Sequence, residues 1–156
     1  MRHRLGYLDS DDEAEVLRRA LKLKLIRAKD GGAMPMTAFD AIDKSSPLAI
    51  SDLTSAMEKV LEVHVSEVFV RHCVDLVNRT RNHPDIELGG SPRAGIALVT
   101  ASRARAFLHG RNYVVPEDIF ALAEDIVLHR IRLSYEAVAR GRKGDDVLAE
   151  ILDQLA

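Results

Sequence analysis

The sequence predicts an all-α protein, a compact helical bundle with short extended connections. Apolar residues recur three and four apart over successive stretches, the spacing of one helix face. Helix-start signatures stand ahead of several of them: Ser10-Asp11-Asp12-Glu13, Ser91-Pro92 and Pro116-Glu117-Asp118. The extended candidates, around Val63 and Val65, Tyr113 to Val115, and Ile131 and Leu133, are too brief to build a sheet of their own.

Residues 1–8 are short and mixed. Ser10-Asp11-Asp12-Glu13 then has the S-x-x-E pattern of a capping box, followed at helical spacing by Ala14, Leu17, Leu21 and Leu25. Lys22, Lys24, Arg27 and Lys29 collect where cations complement the helix dipole, so a helix is predicted over residues 11–29, stopped by Gly31-Gly32. Residues 33–50, with Pro35, Pro47 and Ser45-Ser46, predict a connection held to the core by Phe39, Ile42 and Leu48. Ser51 is the predicted cap of a helix that turns Leu53, Met57, Val60 and Leu61 inward. Residues 66–81 predict a helix with a broad apolar arc, Val70, Val74 and Val77 on one stripe and Phe69, Cys73, Leu76 and Thr80 on the next.

A loop with Pro84 and Gly89-Gly90 leads into a helix that runs to about His109. Ala94, Ala97, Ala101 and Ala104 give it a small-residue face for close packing, and Gly110 suits the position just past its end. Pro116-Glu117-Asp118 opens the next helix, continued by Ile119, Leu122, Ala123 and Ile126. Residues 139–143 predict a basic loop, and Asp145 is the predicted cap of a last helix packed through Val147, Leu148, Ile151, Leu152 and Leu155.

Composition excludes several functions. A chain of 156 residues has room for one substantial domain, and a formal charge of -2 argues against a general polyanion binder. Cys73 is the only cysteine, which rules out an internal disulfide and suits a reducing compartment. No run approaches eighteen apolar residues and no signal-peptide pattern opens the chain, so a cytoplasmic protein without membrane insertion is expected. The phosphate loop G-x-x-x-x-G-K-[ST] is missing, as is a strand ending in magnesium-binding acids, which excludes a free-standing nucleotide hydrolase. No metal is expected, because His72 and Cys73 are adjacent in sequence and no nearby pair completes a ligand set. Within its apolar stripe Cys73 reads as an inert thiol. Arg79 and Arg81, then Arg103, Arg105 and Arg111, then Arg130, Arg132, Arg140, Arg142 and Lys143 are numerous enough for a basic patch. Without an element that reaches base edges, a solvated rim is expected and nucleic acid is disfavoured as a partner.

Arg93 breaks a rule. Ser91 can cap, Pro92 fits the first helical position, and Arg93 then puts a cation in the first turn, where the helix dipole disfavours it. An external anion would account for it, since the guanidinium fork meets phosphate oxygens with paired hydrogen bonds. A surface arginine on a normally capped helix satisfies the same residues.

Gly89-Gly90-Ser91-Pro92-Arg93-Ala94, then Gly110-Arg111-Asn112-Tyr113-Val114-Val115-Pro116-Glu117-Asp118-Ile119, then His129-Arg130-Ile131 with Leu133-Ser134-Tyr135-Glu136, resemble in order the C-terminal part of the MoxR family of AAA+ ATPases. His64-Val65-Ser66, Asp75-Leu76-Val77 and Thr80-Arg81-Asn82-His83-Pro84-Asp85 resemble it too, and Leu5-Gly6-Tyr7 is similar to the join between nucleotide-binding core and lid. The resemblance implies that residues 1–9 end the core-to-lid connection and that residues 10–156 form the AAA+ helical lid. It implies that Arg93 is the sensor-2 residue, catalytic in the complete enzyme, with Ser91 and Pro92 beside it on the nucleotide side. It implies ATP and magnesium as cofactors of the complete enzyme, neither held tightly by this chain alone. Its implied partners are an N-terminal AAA+ core ahead of Met1, neighbouring subunits of a ring oligomer, and a protein that is remodelled or receives a cofactor. Two residues depart from the family pattern: Leu8 replaces a proline, and Val115 replaces a threonine whose capping would contribute about 0.5–2 kcal/mol. The residues alone leave open an independent helical adaptor for protein or nucleic acid.

Overall fold

The computed structural model describes residues 1–2, 6–22, 24–27, 31–36 and 48–155. The chain divides into two units, Arg4–Ile50 on one hand and Met1–His3 with Ser51–Ala156 on the other.

In the first unit, helix α1 spans Ser10–Leu21. Its cap is Asp9 and not Ser10: the Asp9 carboxylate accepts the N–H groups of Asp11 (3.0 Å) and Asp12 (2.8 Å). A carboxylate serves two donors at once and adds the negative charge that a helix start favours, so it displaces the neighbouring hydroxyl. The helix also ends well before Lys29. Leu25–Arg27 (β1) pairs antiparallel with Ala33–Pro35 (β2), so these residues satisfy their backbone groups across a hairpin instead of along a helix. The predicted apolar stripe of α1 is not a core: Leu17 and Leu21 are exposed. Of the predicted anchors in the following connection, Phe39 and Ile42 lie outside the described residues and Leu48 is exposed.

The second unit holds the core. Helix α2 spans Ile50–Glu62, and its predicted inward face is corrected, because Leu53, Met57 and Leu61 are exposed and Val60 is only half-buried. Helix α3 (Glu67–Asn82) starts with the Ser66 hydroxyl accepting the Phe69 N–H at 3.2 Å. It buries Phe69, Cys73, Leu76, Val77 and Thr80, whereas Val74 stays exposed, so its buried arc is narrower than predicted. Burial pushes the Cys73 thiol up to about 11, which keeps it protonated and unreactive.

Strand β3 (Ile86–Leu88) pairs antiparallel with β4 (Arg132–Leu133), with an irregularity in register between Ile86 and Leu88. Between these strands run helix α4 (Pro92–Leu108), helix α5 (Pro116–Val127) and a 3-10 turn over Leu128–Arg130. Helix α4 packs on both α3 and α5. Its deepest line is Ala94, Leu98, Ser102 and Ala106, every fourth residue, while Ala97, Ala101 and Ala104 of the predicted face are half-buried at its flank. Ridges of i±4 residues are the commonest packing rows, and here they override the alanine pattern. The short helix α6 (Tyr135–Ala139) was not predicted; the Ser134 hydroxyl caps it by accepting the Ala137 N–H. Helix α7 (Gly144–Asp153) buries Val147, Leu148 and Ile151. Lys143 occupies its cap position, and Asp145, the predicted cap, lies two positions further on as a first-turn acid. The strands are only two or three residues long, and the protein is all-α as predicted.

Helices α4 and α6 end in the same motif. Gly110 (φ 69°) donates to the Phe107 carbonyl and Arg111 to that of Ala106; Gly141 (φ 78°) donates to Val138 and Arg142 to Ala137. The left-handed glycine and the paired reverse bonds close each helix end. In both cases the arginine after the glycine then reaches a buried acid. Arg111 meets Asp118 at 2.7 and 2.9 Å, joined there by Arg105 at 2.8 Å; Arg142 Nε meets Asp85 at 3.0 Å, joined by Arg140.

Candidate functional site

The α4 start is built by the end of α3. Thr80 is fully buried, donates its hydroxyl proton to the Val77 carbonyl (2.6 Å) and accepts the Gly90 N–H (2.9 Å). Next to it, Arg81 Nε donates to the Gly90 carbonyl at 2.7 Å, and its Nη1 donates to Asn78 Oδ1 at 3.2 Å. Gly89 passes so close that a Cβ there would stand 2.6 Å from the Arg81 Cα, a separation that real side chains do not tolerate. The loop before α4 is thus strapped to α3 through both polar groups of Gly90.

From the strap the chain enters α4 with Ser91 extended (φ -81°, ψ 167°) and Pro92 at the first helical position. Ser91 occupies the predicted cap position, but its hydroxyl makes no capping bond. Pro92 has no N–H to satisfy, and the Ala94 N–H goes to the Ser91 carbonyl at 2.8 Å, which leaves the hydroxyl outside the capping set. Arg93 follows in the first turn. It is exposed, and among the described residues it has no hydrogen-bond or ion-pair partner. Ser91, Pro92 and Arg93 therefore stand together on one exposed helix start.

Most other arginines differ. Arg79, Arg105, Arg111, Arg132, Arg140 and Arg142, six of the ten residues considered for a basic patch, each meet a carboxylate, as does Arg71, whereas the Arg103 Nε is buried without a hydrogen-bond partner among the described residues. Beside the site, an apolar groove of about 410 Å³ runs between α3 and α4, with Val74 and Ile96 exposed along it and Arg81 and Pro92 at its lining. The α4 start offers a free guanidinium, an unused hydroxyl and the positive end of a helix, three groups that can meet an anion. It offers nothing for magnesium: among the described residues no group of His, Cys, Asp or Glu is arranged to hold a metal ion.

Two parts of this arrangement escaped the sequence reading. Thr80 was visible as a hydroxyl inside an apolar stripe, which is the signal of a buried partner, but the partner is ten residues away in a loop. Asp118 read as a favourable charge at a helix start. Its burial depends on Arg105 and Arg111 arriving from another element.

Residues 78–151 match the AAA lid domain. Over 96% of its length the chain is 32% identical to the uncharacterized protein YeaC of Bacillus subtilis, of which it covers 42%. It is 26% identical to the chaperone MoxR1 of Mycobacterium tuberculosis over 97% of its own length and 38% of that protein. A crystal structure from Cytophaga hutchinsonii, of a protein provisionally named an ATPase, superposes with a TM-score of 0.74 at 30% identity, covering 96% of this chain and 43% of that one. Fold and site thus define an AAA lid domain. The chain spans about two fifths of the length of the curated relatives it matches. The chain resembles the C-terminal lid of the MoxR-type AAA+ ATPases. Among the described residues no helix is long and apolar enough to cross a membrane.

Proposed function

We infer that this lid presents Arg93 to the phosphates of an ATP held by an AAA+ core, and that it passes nucleotide-dependent movement to neighbouring subunits of a ring that remodels a protein or inserts a cofactor. Residues 1–9 form the incoming connection and residues 10–156 the lid, acting in the cytoplasm. The observation that carries this reading is the unpaired, exposed Arg93 in the first turn of α4, where the helix dipole disfavours a cation and an outside anion would compensate it. The guanidinium stabilises negative charge as it spreads over the phosphoryl oxygens, without reorganising at the moment of transfer. The Ser91 hydroxyl, spared from capping, is free to donate to the same phosphates, and Pro92 fixes the first helical φ beneath it. The described residues offer no ligand set for magnesium, which would be held by the core and would supply neutralisation of phosphate charge there. The apolar groove between α3 and α4 supports the core as partner, since its exposed Val74 and Ile96 call for cover.

In the protein that joins this lid to its core, Arg93→Ala lowers ATP turnover at least about tenfold while circular dichroism reports an unchanged lid. Unaltered turnover at saturating ATP removes Arg93 from the mechanism.

A further inference from the structure

We propose that Thr80 and Arg81 are positioning residues for Arg93, gripping the two polar groups of Gly90 so that α4 sets out in one fixed direction. The proposal rests on the role given to Arg93 above.

Thr80 lies wholly buried in a helix whose neighbouring buried positions are apolar. Valine would fill the same volume there, and a hydroxyl is worth burying only when it answers another polar group. That group is the Gly90 N–H, itself buried, which loses its acceptor if the oxygen goes. Arg81 differs in reach: the Nε groups of Arg130 and Arg140 bond carbonyls four residues back, whereas that of Arg81 ends on a carbonyl nine residues ahead, that of the same Gly90. Gly89 completes the grip, because only a residue without Cβ lets the strap lie this close to the Arg81 backbone.

The strap matters because α4 lacks the usual device for fixing its start. With the Ser91 hydroxyl making no capping bond, the direction of the first turn is set from behind, three residues ahead of Arg93. A guanidinium acting on a transferring phosphoryl group must be held closely, and a misplacement of about 1 Å can cost about a hundredfold in rate.

A double-mutant cycle tests this in the lid-plus-core protein. Thr80→Val lowers kcat for ATP about tenfold, Thr80→Ser restores it, and Thr80→Val has no further effect in an Arg93→Ala background. Should Thr80→Val prove too unstable to assay, Arg81→Met removes the Nε donor from an exposed side chain while keeping its aliphatic stem, and it must show the same dependence on Arg93. In the 156-residue chain alone, amide exchange at Gly90 speeds up in Thr80→Val and not in Thr80→Ser. The proposal is overturned if Thr80→Val slows the Arg93→Ala protein as much as its parent, if both strap variants leave kcat unchanged, or if Gly90 stays protected without the hydroxyl. An Arg93→Ala protein with normal turnover, by contrast, sinks the role of Arg93 itself, and the exchange result then stands as architecture only.

Discussion

Like Asp85, Asp118 is an acid on which two arginines converge. It is fully buried, and burial alone would raise its pKa, but hydrogen bonds from Arg111, the Val115 N–H and Arg105 outweigh that and hold the carboxyl below its ordinary value. A carboxyl depressed on folding contributes stability that is complete above its unfolded pKa and is lost as pH falls through the folded one. Asp118→Asn is therefore expected to destabilise the helical unit at neutral pH by about 3 kcal/mol, leaving Arg105 and Arg111 without their counter-charge. Urea unfolding from neutral down to about pH 3 checks the sign: the variant loses less stability than the parent as carboxylates protonate. Equal pH slopes in both proteins would mean that the Asp118 carboxylate carries no such linkage. The acid at this position was legible in the sequence as an N-terminal helix charge. Its double pairing was not, since the Arg105 contact crosses thirteen residues and requires the turn after α4 to close first.

At the scale of the element, helix existence was legible and helix ends were less so. Apolar periodicity located α3, α5 and α7, because each buries one face in a common core, whereas α4 was located by its Ser91-Pro92 start and Gly110 stop. The same periodicity overextended α1, since Leu21 and Leu25 fit a helical stripe equally well when one lies in a helix and the other in a hairpin strand. Helix α6 has five residues, too few for a periodic signal. Caps show how local competition decides: serine precedes both α3 and α4, yet only Ser66 uses its hydroxyl. Ser66→Ala should cost about 1 kcal/mol and Ser91→Ala less than about 0.5 kcal/mol in chemical denaturation. Equal losses at the two sites would contradict the hydrogen-bond assignment. Val115, lacking a hydroxyl, has its own N–H held by the Asp118 carboxylate instead, so the departure from the family pattern leaves the start of α5 supported from inside.

At the scale of the whole molecule, the ordered series of motifs identified the lid, and a single misplaced cation identified the candidate site. What supports that cation was hidden, because the strap couples two segments whose relation exists only once the chain has folded. The lid alone should release no phosphate from ATP above background, since no described residue offers a phosphate loop or a magnesium site. Hydrolysis that copurifies with the 156-residue chain and disappears with Arg93→Ala would show that it contains a complete catalytic centre. Helix α4 carries a last consequence. It is tethered in front through Gly90 and behind through Arg111, so its seventeen residues act as a ruler of about 26 Å. Its sides can vary within the limits of packing, but inserting or deleting one residue would swing one end by about 100° relative to the other. Either the arginine that faces outward or the one that meets Asp118 would then miss its mark, which makes length, more than composition, the quantity this segment cannot change.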